Sequence, residues 1–231
     1  MGYVFAAPPQ AVVPVDGTSE LFPVHRIYCV GRNYAEHAKE MGFSERDAPF
    51  FFAKPADAAL PVPFGTTGEL PYPGETANLH HEIELVVAIG KSGANIAAAD
   101  AAKYIYGYAV GLDMTRRDLQ IALRDKGRPW DVAKGFDYSA PISPIKTIAA
   151  TGEILGAQIW LNVNGVRRQA STTAKLIWSV NETIEHLSKF FELRPGDLIY
   201  TGTPEGVGAV QRGDELDGGI EKMGALKVKV V

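Results

Sequence analysis

Two glutamates two residues apart, Glu82 and Glu84, stand inside an apolar, β-branched run, Leu79-His80-His81-Glu82-Ile83-Glu84-Leu85-Val86-Val87-Ala88-Ile89-Gly90. Such a run reads as a strand, and a strand sends residues i and i+2 to the same face. Like charges side by side on an apolar strand repel one another and lose hydration, a cost that a cation or basic side chains must offset. A divalent metal does this most directly. For Glu-x-Glu alone, the solvated face of an edge strand is the other reading.

Further residues have types and spacings that allow chemistry. A strand over Tyr104 to Leu112 ends at Asp113, which is either a helix cap or a ligand. The helix start that follows, Met114 to Gln120, puts Arg117 and Gln120 on one face. In Trp130-Asp131-Val132-Ala133-Lys134-Gly135-Phe136-Asp137, Lys134 is either a surface residue whose stem covers Trp130 or a cation facing the carboxylates. Upstream, Asn33 caps a short predicted helix ending at Gly42, with Glu36 at the capping-box position. There His37 and Glu40 are neighbours three residues apart, a pairing in which the carboxylate fixes the imidazole tautomer for general-base work. Finally, a strand near Leu198-Ile199-Tyr200 empties into Thr201-Gly202-Thr203-Pro204-Glu205-Gly206-Val207-Gly208, a loop that either turns the chain or offers amides beside Thr203 to a small carboxylate.

The elements that position these residues follow from composition. With 231 residues, 46% hydrophobic, the chain can bury a full core as one domain, or as one domain with a small appendage. Its 15 prolines and 24 glycines separate short apolar runs, the pattern of many brief strands joined by turns, so a β-rich α+β fold is expected. Residues 1–22 read as an arm or small hairpin turning at Asp16-Gly17, and residues 23–231 as a single catalytic domain. A second hairpin is predicted at Asn164-Gly165, and a helix from about Ser179 to Phe191.

A net charge of -4 with dispersed basic residues argues against nucleic acid as a partner. The single cysteine, Cys29, excludes an internal disulfide and a cysteine-based zinc site, and its apolar neighbours suit a buried, inert thiol. No dinucleotide or P-loop fingerprint follows a strand. With no Lys or Arg among the first 25 residues and no apolar run of bilayer length, no signal peptide or membrane partner is expected, and a cytoplasmic location is the default.

In order along the chain, Val30-Gly31-Arg32-Asn33-Tyr34-Ala35-Glu36-His37, Phe52-Ala53-Lys54-Pro55, His80 to Leu85, Gly111 to Gln120, Trp130 to Lys134 and Ile199 to Gly208 resemble the fumarylacetoacetate hydrolase family, in its short acylpyruvase branch. The resemblance implies a mixed β-roll or sandwich with short helices, assembled as a homodimer. It places metal ligands on Glu82, Glu84 and Asp113, with Mg2+ or Mn2+ as the cation, because three oxygen ligands suit a hard ion with open positions. Lys134 then matches an active-site lysine, His37 and Glu40 a catalytic pair on a lid, Arg117 and Gln120 substrate contacts, and Gly202 and Thr203 a carboxylate grip. Arg32 and Lys54 lie in matching motifs without an assigned role.

The implied reaction is hydrolytic carbon-carbon cleavage of a 3-acylpyruvate, fumarylpyruvate first among them. Oxaloacetate decarboxylation and 2-oxopent-4-enoate hydration or isomerisation are alternatives on the same site. A non-catalytic relative that keeps the cation for stability is the remaining reading.

Overall fold

The computed structural model describes residues 2–35 and 47–231. Strands dominate it. Ile27–Gly31, Phe50–Lys54, Ala59–Pro61, Ile83–Ile89, Ile105–Leu112, Ala140–Ile142, Lys146–Thr147 and Leu198–Tyr200 form a mixed eight-stranded sheet, with Ile83–Ile89 and Ile105–Leu112 at its centre. Gly68–Leu70, Gln158–Val163, Val166–Thr172, Glu215–Ile220 and Gly224–Val230 form a second sheet of five. A three-stranded ribbon, Thr115–Arg116, Leu79–His81 and Gly208–Val210, closes one end. This is the β-rich architecture expected from the turn-punctuated sequence, with the mixed sheets that the family resemblance implies.

Strand alternation divides the core in two. Ile83, Leu85, Val87 and Ile89 face a large apolar cluster that includes Leu161 and Leu226 of the second sheet and Ile184 and Leu187 of the helix Val180–Ser188. Val86 and Ala88 face a smaller cluster with Ile27, Cys29, Leu198 and Tyr200. The predicted N-terminal hairpin forms between Val12–Pro14 and Leu21–Pro23, and Val13, Val15 and Phe22 lie in this smaller cluster. Asn164 and Gly165 both adopt positive φ, 51° and 76°, as a two-residue hairpin turn requires. The Val180–Ser188 helix starts as expected from Ser179, whose side chain makes a reciprocal capping box with Glu182.

One difference concerns the stretch after Asp113. It makes a short strand, Thr115–Arg116, before turning helical at Arg117–Arg124. The two-residue strand pairs with Leu79 and His80 and so ties the helix start to the short strand Leu79–His81, which runs through Glu82 into the Ile83–Ile89 strand that carries Glu84.

Candidate active site

Glu84 shares its strand face with Val86 and Ala88, so it points to the side where the smaller cluster runs out. The antiparallel ladder sets Ile83 opposite Leu112 and Glu84 opposite Gly111. One step further the Asp113 N–H donates to the Glu82 carbonyl at 2.8 Å, so the aspartate stands beside both glutamates. A residue larger than glycine at 111 would meet the Tyr200 ring and Val86, each 2.5 Å from its Cβ, and would spread the strand ends. One carboxylate oxygen from each of Glu82, Glu84 and Asp113 lies within 4.8 Å of the others. All three residues are buried.

Three cations answer three acids. Lys134 Nζ donates to Glu82 Oε2 at 2.8 Å and to Asp113 Oδ2 at 2.6 Å. Lys54 Nζ lies 2.8 Å from Asp113 Oδ1 and donates to the carbonyls of Met114 and Lys134. Arg117 donates to Glu82 Oε1 and to Gln120 Oε1, so the pair read as sharing a face does meet. Lys54, without a role in the sequence, thus fixes the one-turn helix Asp131–Lys134 that presents Lys134.

These charges set the protonation. Burial, and then the charges of Asp113 and Glu82, push the Glu84 carboxyl well above its ordinary value. Burial works to lower the Lys134 ammonium, but the Asp113 and Glu82 carboxylates prevail and hold it above the usual lysine range. His80 is pushed down to about 4 by burial and by Arg117, and is therefore neutral near pH 7.

The donor set fits a hard dication. Asp113 Oδ1 is buried without a hydrogen bond, its ion pair with Lys54 falling outside hydrogen-bond geometry. An all-oxygen trio beside an under-satisfied buried oxygen suits magnesium or manganese, and it lacks the nitrogen and sulfur ligands that zinc favours.

Glu82, Glu84, Asp113, Arg117, Gln120, Lys134 and Thr203 share one pocket, which Arg32, Phe50 and Trp130 also line. Gly202 sits behind it. Its N–H, read from the sequence as part of a carboxylate grip, donates instead to Glu84 Oε2 at 2.8 Å. At φ 99° and with Asn33 Cβ only 2.8 Å from where a Cβ would stand, position 202 admits only glycine. The Thr203 hydroxyl donates to the Ile83 carbonyl at 2.8 Å while lining the pocket. Asn33, read as a helix cap, gives its amide to the Trp178 and Thr201 carbonyls and accepts from the Trp178 N–H. His37 and Glu40 lie outside the described residues.

Sequence reasoning missed Gln169. Fully buried, it accepts from the Ile83 N–H at 3.1 Å, pairs with His81 Nδ1 at 3.0 Å, and donates to Thr203 Oγ1 and the Pro204 carbonyl at 2.9 and 2.8 Å. One amide thereby fastens the glutamate strand to the 201–204 loop. Only a buried glutamine amid the exposed polar residues of Val166–Thr172 would have marked it, and burial is not visible in that run.

Residues 26–231 match the fumarylacetoacetate (FAA) hydrolase C-terminal family, and the chain belongs to it. Among its solved relatives is fumarylpyruvate hydrolase from Pseudomonas aeruginosa, in complex with Mn2+ and pyruvate. That chain is 55% identical, with 100% of this chain and 99% of the other covered at a TM-score of 0.98. A fumarylpyruvate hydrolase from Ralstonia sp is 48% identical over 78% of this chain and 92% of its own length. An oxaloacetate tautomerase from Escherichia coli K12 is 42% identical over 84% of this chain and 88% of its own.

Proposed function

We propose that this protein is a metal-dependent hydrolase that cleaves 3-acylpyruvates, with fumarylpyruvate as the substrate giving fumarate and pyruvate. The observation that carries the reading is the convergence of three buried carboxylates, two of them bridged by Lys134. The 55% identical Pseudomonas aeruginosa relative, which binds Mn2+ and pyruvate, supports it.

Glu82, Glu84 and Asp113 would hold a Mg2+ or Mn2+ ion. When bound, the cation supplies Lewis-acid polarisation and charge neutralisation to the oxo-acid end of the substrate. Arg117 and Gln120 orient that end, Thr203 faces its carboxylate, and Gly202 acts indirectly by holding Glu84. His37, oriented by Glu40, takes a proton from the water that attacks C4. The C3–C4 bond then breaks, and its electron pair leaves with pyruvate as the enolate, which is protonated at C3. The Lys134 ammonium, kept charged by its two carboxylates, would stabilise the negative charge that grows on that leaving group. A homodimer working in the cytoplasm belongs to the same proposal, on family resemblance and composition.

A second reading has its own support, because relatives about as similar are named oxaloacetate tautomerases. Keto–enol exchange of oxaloacetate needs the same enolate stabilisation but no attacking water. A panel of fumarylpyruvate, acetylpyruvate and oxaloacetate, run with Mg2+ and with chelator, separates the two. The hydrolase reading requires chelator-sensitive release of pyruvate and fumarate. A kcat/KM on oxaloacetate far above that on any acylpyruvate would reverse the ranking.

A further inference from the structure

Arg32 occupies an unusual place. It leaves the end of the Ile27–Gly31 strand at φ 59°, a left-handed conformation that a side-chain-bearing residue adopts only at a cost. The residues on either side impose it. At Gly31 the Phe50 ring lies so close that any Cβ would overlap it, 1.9 Å from its nearest ring atom. At Asn33 the side chain is held by Trp178 and Thr201. The chain must therefore turn between two fixed points, and the turn brings Arg32 to the pocket that holds Glu82, Glu84 and Asp113.

Around it the pocket wall is aromatic. The guanidinium lies 5.2 Å from the Phe50 ring centroid, and Phe50 meets Trp130 edge-on at 5.4 Å. Flat rings and a guanidinium beside them suit a planar, conjugated chain ending in a carboxylate. Arg124 follows Arg117 and Gln120 on the Arg117–Arg124 helix at the spacing of one face and its charge acts on Arg32, although its guanidinium is itself paired with Asp125 at 3.0 Å. Asp47 acts on Arg32 in the opposite sense, and five N–H donors allow one guanidinium to serve two carboxylates.

The floor of the pocket supplies the remaining charge argument. Lys54, Lys134 and Arg117 already balance the three acids. A bound dication therefore leaves a surplus of two positive charges, which a substrate monoanion meets by half and a dianion in full.

We infer that Arg32 recognises a second, distal carboxylate on the substrate and makes the pocket selective for oxo-dicarboxylates over oxo-monocarboxylates. This rests on the proposed oxo-acid site and deepens it, since fumarylpyruvate carries such a carboxylate at the end of a conjugated arm and acetylpyruvate does not.

The test measures binding separately from turnover. In the Mn2+-loaded full chain, calorimetry compares 2-oxoheptanedioate with 2-oxoheptanoate, which match in length and differ in the far carboxylate. The native protein should favour the diacid by about tenfold or more, and Arg32→Met should erase that preference while leaving the monoacid Kd within about twofold. Arg32→Lys, which keeps the charge and loses the fork, should retain part of it, and this variant decides the question if Arg32→Met fails to fold. A diacid preference that survives Arg32→Met, or is absent from the native protein, overturns the inference. A native preference lost in Arg32→Met, in a protein that hydrolyses no acylpyruvate, upholds the subsite and sinks only the reaction.

Discussion

Two buried carboxylate sites in this molecule use the same residue types toward opposite ends. Asp197, fully buried, accepts from Arg26 Nε and Nη2 and from the Arg194 N–H at 2.7–3.0 Å, and pairs with His25 Nδ1 at 2.8 Å. Donors serve both of its oxygens. At the pocket, three acids stand together, Glu84 is pushed toward its neutral form, and one Asp113 oxygen has no hydrogen bond. A single saturated carboxylate is a structural knot, whereas three crowded carboxylates, their charge balanced by Lys54, Lys134 and Arg117, keep oxygens close enough to share a dication.

The largest effect that tests this contrast is on turnover. Glu84→Ala should lower kcat/KM by roughly 10³-fold or more and abolish Mn2+ binding in calorimetry, because a ligand is lost along with the cation's place. His37→Ala should cost a similar factor while Mn2+ still binds, which separates proton transfer from cation holding. Next comes stability. Asp197→Ala should reduce unfolding free energy by about 3–4 kcal/mol in urea, since His25 and Arg26 lose their partner, while the folded fraction keeps its Mn2+ affinity. Equal losses of stability from Glu84→Ala and Asp197→Ala would erase the distinction.

A smaller effect has opposite signs at the two sites. In chelator, Glu84→Gln should raise stability by about 1 kcal/mol, because the amide keeps the Gly202 hydrogen bond and removes one of three like charges, whereas Asp197→Asn should lower it. The pH dependence follows from the raised Glu84 pKa. A native state that holds this proton more tightly than the unfolded chain keeps its full contribution below the ordinary carboxyl range, and loses it as pH rises through the folded value. Metal-free protein should therefore weaken with rising pH over that window, and Glu84→Gln should flatten the slope.

How much of this was legible in the sequence depends on the range of the interaction. Glu82 and Glu84 were legible as a pair because their spacing is local, although only Glu84 lies in a strand and Glu82 stands in the break before it, and Arg117 meets Gln120 because helix geometry is local. The Asn164-Gly165 turn and the Ser179 cap were readable for the same reason. Local sequence left Asp113 a cap or a ligand and Lys134 a surface or a site residue, and the family resemblance chose the site for both; the ladder then sets Asp113 beside Glu82, and Lys134 meets both carboxylates. Gln169 and Lys54 act across 86 and 80 residues of chain; nothing in its neighbours marks Gln169, and the motif around Lys54 marks the residue without revealing its partners. Gly202 was read as serving a ligand, since a glycine loop by itself does not reveal that its amide is already given to Glu84.

Between the two extremes lies Asp118, partly exposed, which accepts from Thr76 Oγ1 at 2.6 Å and from the N–H groups of Ala77 and Leu119 at 3.0 and 2.9 Å. Like Asp197 it is satisfied by donors; like Glu84 it serves the pocket, because it pins the first turn of the helix that carries Arg117 and Gln120. Burial alone would raise its pKa, but the hydrogen bonds from Thr76, Ala77 and Leu119 outweigh burial and hold it below the ordinary value. A depressed carboxyl contributes stability above its unfolded pKa and loses it as pH falls through the folded one. Asp118→Asn should therefore cost only about 0.5 kcal/mol at neutral pH, screened by solvent, and nothing in strong acid. It should raise KM for the oxo-acid about two- to threefold with kcat unchanged, since it loosens the orientation of Arg117 and leaves Lys134 and the acid trio in place. A drop in kcat instead would mean that this helix turn positions the reacting groups themselves, and the line drawn between holding a cation and holding a fold would have to pass through Asp118.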